Sequence, residues 1–522
     1  MLELYDTTLR DGNQGEGVSF SVEDKLLIIK ALDRLGIHYI EGGYPGSNPK
    51  DMEFFKGAKS LQLQQAVVVP FGSTRHPRYQ PGEDPNLLAL LDTGARTVTI
   101  FGKSWELHAT DVLRVTAQEN IELIESSVRF LVENGREVIY DAEHFFDGYD
   151  DQPDYALQTL KAAAQAGARC VVLCDTNGGR LPLEIQEGVR AVIAEIGLPV
   201  GIHTHNDAGM GVANAILAVQ AGAAHVQGTF NGYGERCGNA NLASIIPTLK
   251  LKLGIDCISG EGLNQLTETS RLISELANLP HDERQPYVGS SAFAHKGGMH
   301  IDAVRKNSRT FEHIDPELVG NEQRILISDQ AGKSAILKKI ERRYPNYDKN
   351  SPEVIALFDR LKEAENEGYQ YEAADASFEL LTRTLLDGYQ PFFDLLGFRV
   401  IIEKVKDHGI RSEATIKVMA PDGEVEHTAA DGDGPVNALD SALRKALERF
   451  YPSLQEVHLT DYKVRVLDTQ AGTGAKVRVL IEASDGREYW GTVGVSENII
   501  QASWEALTDS LEYKLYKDSR ET

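Results

Sequence analysis

The sequence predicts an α/β protein: a (β/α)8 TIM barrel, then a mostly helical linker region, then a C-terminal α+β domain. Three observations carry this. Short apolar runs alternate with amphipathic helical periods from the start to about residue 254; residues 260–390 are helical and charge-rich; and from about Phe398 β-type alternation takes over. Strands alternating with helices favour a parallel sheet covered by helices, and about eight such units in roughly 250 residues is the size of a barrel. An open doubly wound sheet has the same rhythm, but no G-x-G-x-x-G turn follows the first run. We place the boundaries at 1–270, 271–390 and 391–522.

In chain order the strand candidates are Leu2–Tyr5, Tyr39–Gly42, Ala66–Val69, Thr97–Phe101, Glu137–Tyr140, Cys170–Cys174, Val200–His203 and Val226–Thr229. They are short, apolar and bounded by turns, as strands buried on both faces are. Helical periods follow, among them Val22–Leu35, Ile121–Glu133, Tyr155–Ala166, Leu183–Ile196 and Gly211–Ala221. The linker region holds a conspicuous loop at Phe293–Asp302 and a Pro-containing segment at Ile314–Gly320. The last region has two loosely similar halves, each with strands, an acidic Gly turn and a helix. "TAADGDGPVNALDSALRKAL" in the first is answered by "GTVGVSENIIQASWEALTDSL" in the second. Each Gly-flanked helix start is either an ordinary cap or a place for a small anion or amino acid.

Bulk properties remove several classes. A chain of 522 residues is too long for one ordinary domain. No run approaches ~18 uninterrupted apolar residues, so no transmembrane helix is expected. The net charge of −25 argues against partners such as nucleic acid or an anionic membrane surface. Four cysteines in so long a chain, with no basic-then-apolar leader, suggest reduced thiols and a cytoplasmic protein.

In a barrel the chemistry sits at the C-terminal ends of the strands. Those ends read "DTTLRDGNQ" (Asp6–Gln14), "DAEHF" (Asp141–Phe145), "DTNGG" (Asp175–Gly179), "HTHND" (His203–Asp207) and "NGYGERCGNAN" (Asn231–Asn241). His203 and His205 are two apart on a strand, so both imidazoles point the same way and can reach one ion. A lone buried histidine is usually a structural hydrogen-bonding group; a pair at a strand end, among carboxylates and amides, favours metal ligation. Asp11 and Asn239 follow strands one and eight, which are neighbours in a closed barrel, so all four can converge on one cation. The set suits Mn²⁺, Mg²⁺, Zn²⁺ or Co²⁺ without choosing among them. Arg10 is either half of a structural ion pair with Asp11 or a donor to a developing enolate or alkoxide. Glu143, after strand five, is either a base or a salt-bridged rim residue. The glycines of "NGYGERCGN" permit close approach of a phosphate or pantetheine chain, or simply a tight turn.

Taken together, "DTTLRDGNQ", "HTHNDAGMGVANA" and "GYGERCGNANL" resemble the Claisen-condensing family of 2-isopropylmalate, homocitrate and citramalate synthases. The likeness extends to "AFAHKGGMHIDAV" (Ala292–Val304), similar to that family's linker loop, and to the C-terminal region, similar to its dimeric regulatory domain. "IEGGYPGSNPKDMEFF" (Ile40–Phe55) looks most like the branch that uses pyruvate.

The resemblance implies roles. Arg10 would polarise the 2-oxo group; Asp11, His203, His205 and Asn239 would bind a divalent metal, Mn²⁺ or Mg²⁺ first. Thr176 and Gln14 would contact the substrate. Gly234, Glu235, Arg236 and Gly238 would contact acetyl-CoA. Glu143 and His300 would share the proton transfers. Pyruvate and acetyl-CoA are the implied substrates, isoleucine an implied feedback effector and a homodimer the implied assembly. One departure stands out: the family commonly has Tyr where this chain has Phe311. The same chemistry on 2-oxoisovalerate or 2-oxoglutarate, an acyl-CoA lyase-like or transcarboxylase barrel, and an inert amino-acid sensor are the competing expectations. The transcarboxylase reading lacks a Met-Lys-Met-type biotin site.

Overall fold

A computed structural model describes residues 2–521 except 327–332, 342, 349, 406–408, 421 and 468–473. The chain divides into two compact units, residues 1–293 with 312–323, and residues 294–311 with 324–522.

The first unit is the expected barrel. Its strands are β1 (Glu3–Asp6), β2 (Tyr39–Gly43), β3 (Val67–Ser73), β4 (Thr97–Lys103), β5 (Glu137–Glu143), β6 (Cys170–Asp175), β7 (Val200–Thr204) and β8 (His225–Gly228), all parallel and in sequence order. Closure is direct: Glu3, Leu4, Tyr5 and Asp6 pair with His225, Val226, Gln227 and Gly228. Two-sided burial explains the apolar runs. Leu4, Ile40, Val98, Val138, Val171, Leu173, Ile202 and Val226 pack outward against the helices. Tyr5, Val69, Ile139, Cys170, Val172 and Cys174 fill the interior. Each such side chain contributes roughly 1.5–3 kcal/mol on burial, which makes the helix-to-sheet layer the main support of the mouth.

The helices start where local chemistry allows. Ser21 and Asp24 form a capping box ahead of Val22–Leu35, and Thr116 with Glu119 does the same for Ala117–Glu133. Several strands run further than their apolar stretch suggests. Most consequentially, Glu143 is the last residue of β5, where the sequence reading placed it after the strand. The ladder is made by backbone groups, and Lys103–Glu143 simply continues the β4–β5 register.

The second unit carries a two-stranded parallel pair, β9 (Ala294–His295) with β10 (Arg324–Ile325), and several helices, Pro352–Glu367 and Asp375–Leu386 among them. Its C-terminal part repeats a three-strand-then-helix pattern. β11 (Asp394–Val405), β12 (Gly409–Met419) and β13 (Val425–Gly432) form an antiparallel sheet followed by the helix Pro435–Leu447. β14 (His458–Val466), β15 (Val477–Ser484) and β16 (Tyr489–Ser496) form a second, followed by Ile499–Glu521. The internal similarity read from the sequence is thus a structural repeat. Among the described residues no helix is long and apolar enough to cross a membrane.

Candidate active site

The loop after β1 is locked before it presents any chemistry. Asp6 accepts from Thr8 N and Thr8 Oγ1, and Thr8 Oγ1 in turn accepts from Phe230 N of the loop after β8. This ties the first strand end to the last. Arg10 then turns inward. Its Nε donates to Glu41 Oε1 (2.5 Å), and Glu41 is held on β2 by Thr7 Oγ1 (2.5 Å) and Tyr5 OH (2.6 Å). The guanidinium lies 3.8 Å from the centre of the Phe71 ring, a cation–π contact. Its Nη1 is 3.2 Å from Asp11 Oδ2.

Asp11, His203 and His205 are buried and face one another. His203 Nε2 is 3.6 Å from Asp11 Oδ2, and the two imidazole rings are 5.2 Å apart. Burial alone would raise the Asp11 carboxyl, but Arg10 and the two histidines reverse this and hold it at about 2. Burial lowers His203, and burial with His203 beside it brings His205 down to about 4. The carboxylate is therefore charged and both imidazoles neutral near pH 7, the states that metal ligation needs.

A divalent cation fits this set. One ligand atom from each of Asp11, His203 and His205 lies within 4.8 Å of the others. His205 Nδ1 and Asn239 Oδ1 are buried with no hydrogen-bond partner. Asn239 reaches the cluster on the loop after β8, its Nδ2 donating to Asp11 Oδ1 (3.2 Å) and Tyr233 O (3.1 Å). That loop requires its glycines. Gly234 has φ +145° and a Cβ there would meet Asn239 Nδ2 at 2.2 Å; Gly238 has φ +82° and a Cβ would meet Gly232 O at 1.9 Å. Both therefore have a conformational reason independent of any ligand.

Arg10, Asp11, Gln14, Glu143, Thr176, His203, His205, Glu235 and Arg236 line one cavity of about 290 Å³ at this mouth. Glu143 is ion-paired with Lys103 of β4. Thr176 Oγ1 accepts from His144 N (2.9 Å), and Arg236 clamps both Asp207 oxygens (2.7 and 2.9 Å) and Thr176 O. His300 is not among these residues. It lies in the helix Gly298–Lys306 of the second unit, exposed, with its ring stacked 4.0 Å from that of Phe311.

The cavity has further walls that sequence reasoning missed: Tyr44, Phe71, Phe101, Asp141 and Cys174. Phe71 and Phe101 stack at 5.4 Å. Burial pushes the Cys174 thiol well up, so it acts as an apolar wall and not a nucleophile. Glu41 was inside a quoted motif but unread; its signal was a carboxylate within an apolar strand. Lys103 and Gln227 had no comparable signal.

A closed parallel barrel with this Arg, Asp and His pair at its mouth defines a class, and the HMGL-like family model matches residues 1–273. A model described as "Homocitrate synthase post-HMGL domain-like" matches 287–368, and one described as "LeuA allosteric (dimerisation) domain" matches 372–515. The chain is 55% identical to an (R)-citramalate synthase of Geobacter sulfurreducens, over 99% of this chain and 98% of that one. It is 54% identical to the enzyme of the same name from Aquifex aeolicus (99% and 98%) and 45% identical to that of Sulfolobus acidocaldarius (98% and 97%). The chain belongs to the (R)-citramalate synthase family, and it is an enzyme of the condensing acyltransferase type. The family resemblance and the barrel expected from the sequence are both borne out.

Proposed function

We propose that the protein joins the methyl carbon of acetyl-CoA to the carbonyl carbon of pyruvate and, with water, releases (R)-citramalate and CoA. The observation that carries this is the buried Asp11–His203–His205 cluster, with half-buried Arg10 beside it, lining an aromatic-walled cavity. Asp11, His203, His205 and Asn239 would hold the cation, with Mn²⁺ or Mg²⁺ ahead of Zn²⁺ or Co²⁺. When bound it supplies Lewis acidity toward the 2-oxo acid.

The chain's own groups do the rest. Thr176 and Gln14 receive the substrate carboxylate, and the rings of Phe71 and Phe101 wall the same cavity. Glu143 takes a methyl proton of acetyl-CoA, and the enolate carbon attacks the carbonyl. Arg10, held by Glu41, donates to the new alkoxide, the point where charge develops. Water then cleaves the thioester, leaving the carboxylate and a CoA thiol. Gly234, Glu235, Arg236 and Gly238 form the loop on which the acetyl-CoA would lie. The C-terminal repeat would form the homodimer contact and bind isoleucine as feedback effector, in a cytoplasmic enzyme of isoleucine biosynthesis.

The test is CoA release from acetyl-CoA with pyruvate, 2-oxobutyrate, 2-oxoisovalerate and 2-oxoglutarate in parallel, with Mn²⁺ and with chelator. A strong preference for pyruvate that chelator abolishes is expected. Preference for 2-oxoisovalerate would move the protein to the 2-isopropylmalate activity.

A further inference from the structure

Gln227 is fully buried in β8, a strand position where an amide has no obvious use. It stands in ladder register with His203 on one side and Tyr5 on the other. Its Oε1 lies 3.0 Å from His203 Nδ1, and its Nε2 donates to Asp141 Oδ1 of β5 at 3.0 Å across the barrel interior.

These two contacts are chemically coupled. Asp141 Oδ1 accepts, so the amide nitrogen faces it; this holds for a carboxylate and for the carbonyl oxygen of a neutral carboxyl alike. The amide oxygen is left facing His203, and an amide oxygen only accepts. His203 Nδ1 must therefore carry the proton, which leaves the lone pair on Nε2, the atom 3.6 Å from Asp11 Oδ2. Turning the amide over would put two donors against Nδ1 and move the proton to the wrong nitrogen. His205 lacks such a hold, because its Nδ1 is buried without a hydrogen-bond partner.

We propose that Gln227, oriented by Asp141, is a positioning residue that fixes His203 in its Nδ1–H tautomer and so keeps Nε2 as ligand atom for the cation. This rests on reading Asp11, His203 and His205 as a metal site. A partner on the outer nitrogen of a ligating histidine sets both ring orientation and basicity, and its loss weakens metal binding about 10–100-fold.

The test is Mn²⁺ titration of the full chain by calorimetry, with the Co²⁺ d–d absorption spectrum as a second readout. Gln227→Met, similar in volume but without an acceptor, is expected to weaken Mn²⁺ binding by about 10–100-fold and to alter the Co²⁺ spectrum. The exchange Gln227→Glu with Asp141→Asn keeps net charge and restores the relay, since the new carboxylate accepts from both His203 Nδ1 and the new amide. It is expected to return affinity to within about threefold of wild type, which a merely space-filling role would not do. Unchanged affinity in Gln227→Met, or an exchange no better than Gln227→Met, would overturn the proposal. Wild-type protein that binds Mn²⁺ no tighter than His203→Ala would instead overturn the metal reading on which it stands.

Discussion

The barrel mouth and the C-terminal sheets handle polarity in opposite ways. At the mouth, polar and charged groups are drawn out of solvent and interlocked: Glu41 holds Arg10, Arg10 holds Asp11, and Gln227 holds His203. In the C-terminal repeat, apolar groups are left in solvent. Ile402, Ile410, Val464 and Val466 are all more than two-fifths exposed, the last two on the edge strand β14. Buried charge survives only where every group has a partner, because a carboxylate or guanidinium stripped of water without one costs several kcal/mol. Exposed apolar surface on a sheet edge has the reverse meaning: it awaits a cover. The first region is interlocked within one chain apart from His205 Nδ1 and Asn239 Oδ1, and the second reads as half of an interface.

Breaking the first region should produce the largest effect. His203→Ala is expected to abolish metal-dependent turnover while leaving a folded protein; full activity in that variant would sink the metal assignment. Arg10→Gln should follow, with kcat lower by roughly 10²–10³, the cost of removing one donor to a developing oxyanion. If KM for pyruvate rises while kcat holds, Arg10 binds the substrate but does not stabilise the alkoxide.

The second region should break differently. Val464→Asp with Val466→Asp puts charge on the edge strand β14, and the homodimer proposed above is expected to give way to monomers in sedimentation velocity. A dimer that persists would place the contact elsewhere. Isoleucine at millimolar concentration is expected to slow CoA release, and removing residues 391–522 should abolish that response; a rate indifferent to isoleucine would count against the effector.

The same contrast explains what could be read in the sequence. All eight barrel strands were visible because two-sided burial makes each an apolar run, and the His203/His205 pair was visible because strand periodicity aims both rings one way. Their supports were not. Nothing local separates the buried Gln227 from an exposed glutamine; only its register beside His203, set by barrel closure, does. Glu143 was assigned to a loop because a carboxylate ends the apolar run, although backbone pairing with Lys103 carries the strand through it. The C-terminal repeat was legible from two similar helix starts, whereas the exposure of Val464 and Val466 depends on where β14 falls in its sheet.

The smallest expected effect lies in the pH dependence of the second unit. In the second unit the Asp509 carboxyl, on the helix Ile499–Glu521, accepts from Ser377 Oγ (2.5 Å). Burial, with the nearby carboxylates of Glu512 and Glu505, raises it to about 7 despite that bond. A raised carboxyl means the folded state keeps a proton that the unfolded chain, near 3.8, has already released. Stability of this unit should therefore be fully supported by the group below about pH 4 and decline as pH rises through about 7. Asp509→Asn should flatten that decline in thermal melts followed by tryptophan fluorescence in a Trp105→Phe background, where Trp490 and Trp504 of this unit are the remaining reporters. In the barrel Asp11, held at about 2, works in the other direction, whereas burial raises Asp6 there to about 7, so both units carry a raised carboxyl. A decline between pH 4 and 8 as steep in Asp509→Asn as in wild type would place the responsible group outside Asp509.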